Sequence, residues 1–326
     1  MKAPHLSNWY PTRLYSRDNA SLVDWMNFEG IPFTHPFFDE SVAKARSKAL
    51  NSKFYRPASS PELLPYWSEH LDYLKPSAFI FHVSRCGSTL LSQLLGMDKN
   101  IISLSEVPFL DDILRLPFKT YYENGSDILK LLDSAIKIYG QKRSGSEKNL
   151  LIKTDSWHIF FWKEIRKLYP EVPFILLYRR PEEVLRSNQK HRGMQAVPGV
   201  IEPEVFGFNA GKLEGTGLDE YMGKVLERYF ETYLEIADQD SNFLLLNYEE
   251  GVPELLKKTV STCGIILDQQ TEEAILQRSG YHSKHPDKVF LGEPKDQDIP
   301  PFMEKSVQLY YQLEGIRGEI LRGQQA

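Results

Sequence analysis

Cysteine is nearly absent: the chain has two in 326 residues, Cys86 and Cys263. Two distant thiols make neither a disulfide framework nor a zinc cluster, so a reducing compartment, the cytoplasm, is expected. No apolar run approaches the roughly 20 residues of a membrane helix. The opening stretch MKAPHLSNWYPTRLYSRD has no apolar core of the kind a secretory signal needs, so no membrane association is expected. Excess positive charge is missing too. Lys and Arg number 39 against 44 Asp and Glu, a net charge of −5, so there is no global pull on nucleic acid or an anionic surface, and any anion site must be local. No internal repeat is visible, and the phosphate-loop pattern G-x-x-x-x-G-K-[ST] does not occur. What is present is an ordinary soluble composition, 41% hydrophobic and 25% charged, in a chain long enough for one large α/β domain or two modest ones.

Residues 1–75 read as a largely helical satellite segment, with helices expected over Phe37–Ser52 and Ser59–Leu74. The second has Ser60 as N-cap candidate and Pro61 at the first helical position. From residue 76 to 326 the pattern becomes strands alternating with helices. "AFIFHVS", "NIISLS", "LLIKT", "VPFILLYRR" and "NFLLLNYEE" are apolar throughout, and helical segments separate them. That pattern predicts a three-layer α/β fold, a mostly parallel sheet covered by helices. The glycine-rich stretch 193–217 has no period and is expected to be a loop acting as a lid. Tyr221, Met222, Val225, Tyr229, Phe230 and Tyr233 fall at helical spacing and read as core.

One turn stands out. In "FHVSRCGSTLL" (Phe81 to Leu91) a buried-type strand stops at small residues and a helix starts at once. In an open parallel sheet, ligands bind beyond the carboxyl ends of strands, and the first amides of a helix favour an anion. Gly87 allows positive φ or close approach. Ser88 and Thr89 add hydroxyls, and Arg85 adds a two-pronged permanent charge suited to phosphate. Cys86, beside this cationic turn, is expected to have a lowered thiol pKa, though its small size explains it as well. The turn reads as a phosphate cradle without the lysine and hydroxyl pair that serve a γ-phosphate and its Mg²⁺.

These residues resemble the sulfotransferase superfamily, whose members bind 3′-phosphoadenosine 5′-phosphosulfate (PAPS) on a P-loop-like fold. The family's first signature, a strand followed by [KR]-[small]-G-[ST]-T and a helix, is similar to Arg85-Cys86-Gly87-Ser88-Thr89. The second, a strand ending in Arg with Pro two residues on and Ser eight residues after the Arg, looks like Arg179, Pro181 and Ser187. A strand "IKT" between them is matched by Lys153, and a late strand ending in Tyr-Glu by Tyr248-Glu249. The resemblance runs from about Ala78 to Val289. It implies that residues 85–89 hold the 5′-phosphosulfate, that Arg179 and Ser187 grip the 3′-phosphate, and that Lys153 acts in catalysis. Tyr248 and, from a barely recognisable late basic loop, Ser283 and Lys284 would join the nucleotide site.

The chain departs from the cytosolic branch, which has Lys at the place of Arg85 and His at the place of Asp155. Branches with a carboxylate base place it after the second strand, here at Glu106, so Glu106 or else Asp155 is the expected base. Glu106 follows a strand expected to neighbour the first one. Asp155 can equally be a helix cap, and His158 reads as a surface helix residue. No metal is expected. The acceptor would offer a hydroxyl or amine on a small molecule, glycan or peptide. Two other functions stay open: a P-loop kinase acting on Mg·ATP, with Asp155 as metal ligand, and a non-catalytic nucleotide-binding module.

Overall fold

Strands buried on both faces have no reason to alternate polar and apolar residues, and the five apolar segments behave accordingly. A computed structural model of the chain describes residues 6–18, 20–51, 57–119, 127–213, 215–267, 269–279 and 299–323. It has two sheets. β1 (Trp9–Arg17), β2 (Ala20–Asn27) and β3 (Ala58–Ser59) form an antiparallel sheet in that order. β4 (Pro76–His82), β5 (Ile101–Ser105), β6 (Asn149–Lys153), β7 (Phe174–Tyr178) and β8 (Phe243–Asn247) form a parallel sheet in the order β5-β6-β4-β7-β8. Every residue of β5 and β7 is buried, as is β4 from Ala78 onward.

The helices are α1 (Phe38–Arg46), α2 (Leu64–Ser68), α3 (Ser88–Leu95), α4 (Pro108–Leu114), α5 (Ile128–Tyr139), α6 (Trp162–Leu168), α7 (Pro181–Lys190), α8 (Leu218–Gln239), α9 (Val252–Thr262), α10 (Gln269–Ser279) and α11 (Glu304–Gly323). They flank the parallel sheet, so the expected α/β architecture is present. Pro181 occupies the first turn of α7. The aromatic stripe of α8 is buried, as its spacing predicts. Among the described residues no helix is long and apolar enough to cross a membrane.

The strand order positions the site. The chain leaves β4 toward β5 on one side and leaves β7 toward β8 on the other. β4 and β7 are neighbours, so the crevice at their carboxyl ends is the topological switch point, where open α/β sheets take ligands. One expectation about this sheet is corrected: β5 does not neighbour β4, because β6 lies between them.

The N-terminal segment is also corrected. It holds helices near the expected places, α1 and the short α2 preceded by a 3₁₀ turn at Pro61–Leu63, but residues 9–27 are a β-hairpin rather than helix. The hairpin is masked in the sequence because the register shifts between Pro11 and Arg13, which breaks the period-two alternation. Nor does the segment stand apart. Tyr10, Phe28, Phe33 and Phe38 pack with Tyr139 of α5 in one aromatic cluster. Leu14 N–H donates to Asp112 of α4 (2.8 Å) and the Tyr139 hydroxyl donates to the Pro11 carbonyl.

Stretch 193–217 is irregular as expected but well anchored. It forms 3₁₀ turns at Met194–Ala196, Pro203–Phe206 and Ala210–Lys212, and Ala196, Ile201, Val205 and Phe206 are buried.

Candidate active site

The residues singled out in the sequence line up along the carboxyl edge of the parallel sheet in strand order. Glu106 follows β5, Lys153 ends β6 with Asp155 just beyond, the turn 84–89 follows β4, Arg179 follows β7, and Tyr248 follows β8. Ser187 lies on α7, two turns after Arg179. Ser283 and Lys284 fall outside the described residues.

The turn has an unusual backbone. Ser84 (φ +68°), Arg85 (+52°) and Gly87 (+81°) are all left-handed. For a non-glycine residue this costs on the order of 1–3 kcal/mol, and it persists only where the surroundings enforce it. Those surroundings are visible. The Ser84 amide donates to Nδ1 of His82 (3.1 Å) and the Ser84 hydroxyl accepts from Gln195 (2.9 Å). The Arg85 carbonyl accepts from Arg179 (3.2 Å), while the Arg85 guanidinium donates to the His191 carbonyl. Gly87 is the N-cap of α3 and gives that helix no side-chain cap, the kind of helix start at which backbone amides favour an anion. Glycine is required at 87 for a second reason: a Cβ there would stand 2.6 Å from the Tyr248 ring.

Arg179 is buried. Its Nε donates to Glu183 (2.6 Å), and its guanidinium lies 4.8 Å from the centroid of the Tyr248 ring. Arg179 and Tyr248 thus meet each other and the turn, with Arg179 also bracing the loop. Arg180 pairs with Glu249 (2.9 Å) near the surface, away from these contacts.

Cys86 reverses its expected chemistry. Its side chain points into the core, where the thiol faces the Leu177 carbonyl (3.5 Å), and burial pushes its pKa up to about 12. The nearby cations do not offset the loss of water. Of Cys86, only the backbone can serve the turn.

On the other side of β4, Glu106 forms an ion pair with Lys153, and its Oε1 is 3.5 Å from Nε2 of His82. The Glu106 amide donates to the Lys153 carbonyl (2.9 Å) and its φ is +53°. Burial acts to raise the pKa of the Glu106 carboxyl. Lys153, then His82, outweigh it and hold the carboxyl down at about 2. The Lys153 side chain is 0% exposed and Glu106 22%, so the carboxylate is the member of the pair that faces out. The Phe37 ring lies 5.5 Å from the Lys153 ammonium.

Asp155 behaves in the opposite way. Burial first, then the charges of Glu106 and Asp111, push its carboxyl well above the ordinary range. It also caps the following 3₁₀ turn, Ser156–Phe161, as the alternative reading foresaw. His158 is not a surface residue: it is 2% exposed. Its Nδ1 accepts from the Asp155 amide (3.3 Å), so Nε2 carries the proton and donates to Asp111 (3.0 Å). Asp111, Asp155 and His158 place ligand-type atoms within 4.8 Å of one another. Asp111 is already engaged by Trp157 (2.6 Å) and Arg115 (2.7 Å).

Besides Gln195, three participants were missed in the sequence. His82 supports the turn. Phe37 and Asp39 come from the N-terminal segment, fixed where the Ser105 hydroxyl donates to the Pro36 carbonyl (2.9 Å). Asp39 has its carboxyl raised by burial and, against the pull of Arg46, by the charge of Glu106. The only local signal was for His82, a polar residue closing an otherwise apolar strand. The others arrive through contacts distant in sequence.

No family model matches the sequence, and no curated protein does. Solved structures similar to the chain include three sulfotransferases. STF9 from Mycobacterium avium is 14% identical, with 78% of each chain covered and a TM-score of 0.44. The sulfotransferase domain from the curacin biosynthetic pathway is 14% identical, covering 74% of this chain and 99% of its own, with a TM-score of 0.45. Mouse sulfotransferase SULT7A1, complexed with PAP, is 13% identical, covering 82% and 92%, with a TM-score of 0.40. At these values the likeness gives no weight to any residue, and function is argued from the site itself.

Proposed function

We propose that the protein transfers the sulfuryl group of PAPS to the hydroxyl or amine of an acceptor. The observation that supports this best is the row of groups along one sheet edge. An uncapped helix start with Arg85, Arg179 and Tyr248 lies at the switch point, and an outward-facing, ionised Glu106 lies on the far side of the same strand.

In this reading the amides of 87–89, with Ser88 and Thr89, receive the 5′-phosphosulfate. Arg179, Ser187 and Tyr248 serve the adenosine 3′-phosphate half. The acceptor oxygen or nitrogen forms a bond to sulfur as the bond from sulfur to the 5′-phosphate oxygen breaks. Adenosine 3′,5′-bisphosphate (PAP) leaves, and Glu106 takes the acceptor's proton. Positioning and preorganised charge supply most of the rate. Lys153, buried behind Glu106, keeps that carboxylate ionised and oriented rather than touching phosphate. Asp155, raised by burial, is the weaker candidate for base. Loop 193–217, tied to the turn through Gln195, borders the donor side and would close over it. A cytoplasmic setting and a small-molecule, glycan or peptide acceptor complete the proposal.

A second reading, phosphoryl transfer from Mg·ATP, draws on the Asp111–Asp155–His158 cluster. The two separate in one experiment. Thermal shift with PAP, 5′-AMP and Mg·ATP should give a large shift for PAP, and PAP should bind about 10- to 100-fold more tightly than 5′-AMP, the value of a charged contact to the 3′-phosphate. Transfer of labelled sulfate from PAPS to an acceptor mixture then separates an enzyme from a binding module. Equal affinity for PAP and 5′-AMP, or a shift with Mg·ATP alone, would overturn the proposal.

A further inference from the structure

We infer that His82 is a positioning residue for the donor turn: its imidazole, with the proton on Nε2, holds the Ser84 amide and so fixes the left-handed start of the loop. The weight of this for function rests on the proposed reading of the turn as a phosphosulfate cradle.

Both partners of the ring define its state. Nε2 lies 3.0 Å from the Thr154 carbonyl, which can only accept, so Nε2 bears the hydrogen. Nδ1 lies 3.1 Å from the Ser84 amide, which can only donate, so Nδ1 is bare. The ring is buried at the last residue of β4. Burial and the nearby Lys153 both favour its neutral form, against the pull of Glu106. A doubly protonated ring would turn Nδ1 into a donor facing a donor, and the turn would lose that support.

The position of the contact gives it leverage. Ser84 and Arg85 both sit at positive φ without being glycine, a conformation that surrounding contacts must impose. Gln195 holds the Ser84 hydroxyl and Arg179 holds the Arg85 carbonyl, both from other elements of the chain. His82 holds the backbone amide from the strand that feeds the turn. The same ring reaches the residue just after β6 through the Thr154 carbonyl and approaches Glu106 at 3.5 Å. It therefore ties the donor side of the site to the proposed base.

Amide side chains separate the ring's two faces. In His82→Asn the side-chain oxygen stands near the place of Nδ1 and can still accept from Ser84. In His82→Gln the side-chain nitrogen reaches the place of Nε2 and can still donate to Thr154, but the Ser84 amide loses its acceptor. Two measurements are made on each variant: the dissociation constant for PAP, and hydrogen exchange of the 82–89 amides in the ligand-free protein. The expected result is PAP binding within about 2-fold of wild type for His82→Asn and about 3- to 10-fold weaker for His82→Gln, the value of one hydrogen bond. Exchange over 84–89 should be faster in His82→Gln than in His82→Asn. A role in packing alone would affect both variants alike, and equal exchange in the two overturns the inference. If wild type does not bind PAP, the donor reading fails, and the exchange comparison still decides the role of His82. If His82→Gln does not fold, His82→Asn is compared with wild type: exchange over 84–89 close to wild type supports the inference, and wholesale loss of protection overturns it.

Discussion

Two carboxyls stand at the mouth of one site, and their surroundings drive them apart. Glu106 is held at about 2 because Lys153 and His82 outweigh its burial; Asp155 is raised because burial and two neighbouring carboxylates act together. Which influence would dominate at each position could not be read from the sequence, since it depends on which residues end up adjacent. The difference yields a pH test. A base must be ionised to act. Glu106 is ionised throughout the neutral range, so if it is the base, kcat/KM should show no rise on its account between pH 5 and about 8. If Asp155 is the base, kcat/KM should climb as pH passes its raised pKa. Glu106→Gln should lower turnover by about 10²–10⁴ and leave PAP affinity within a few-fold. It should also lower Tm, because Lys153 would lose its buried counter-charge, a loss of about 3–5 kcal/mol in comparable pairs. A pH profile that rises in wild type, with Glu106→Gln fully active, would assign the role to Asp155.

The turn after β4 shows what an element-level reading can and cannot reach. Its strand, its glycine, its arginine and the helix behind it were legible because they are consecutive. So were the five parallel strands, which announce themselves by being apolar throughout. The props of the turn were only partly legible: Tyr248 was marked by the Tyr-Glu that closes its strand, but Gln195 lies far along the chain and meets the turn only after the sheet has formed. The N-terminal hairpin escaped for a different reason, since its register shift hides the alternation that marks a half-buried strand. Gly87 offers a test of the element. Gly87→Ala meets two costs, a positive φ and the Tyr248 ring 2.6 Å from the new methyl carbon. Gly199 has a similar φ, +78°, with nothing within 4 Å. Gly199→Ala should therefore cost only the backbone term, about 1 kcal/mol, and Gly87→Ala clearly more. Removing the ring with Tyr248→Ala should bring the two substitutions closer together, as urea melts of the double-mutant cycle would show. An unchanged gap would mean that the ring is not what requires glycine there.

At the scale of the whole molecule, the N-terminal sheet is tied to the parallel sheet through α4 and α5, and one of the ties titrates. Burial, opposed by the Leu14 amide and reinforced by Asp111, pushes the Asp112 carboxyl up to about 6 from its ordinary 3.8. A folded pKa above the unfolded one means that the native state binds more protons in that interval. This contribution is therefore present at low pH and is lost as pH rises through about 6, at most about 1.4 kcal/mol per pH unit. Asp112→Asn keeps an acceptor for Leu14 and removes the titration. The Tm of the variant minus that of wild type should grow between pH 4.5 and 7.5; a constant difference would show that Asp112 does not set this slope. The order of the parallel strands has a consequence of its own. Neighbouring strands stand about 4.8 Å apart, so the four intervals from β5 to β8 separate the stations of Glu106 and Tyr248 by roughly 20 Å. The sheet edge is a ruler laid crosswise to the chain. On the proposed reading, the nucleotide takes the marks at β4, β7 and β8, and the partner molecule takes those at β5 and β6, beside the peptide that carries Phe37 and Asp39. Lineages could then rewrite that short peptide to change customers while the nucleotide half stays as it is.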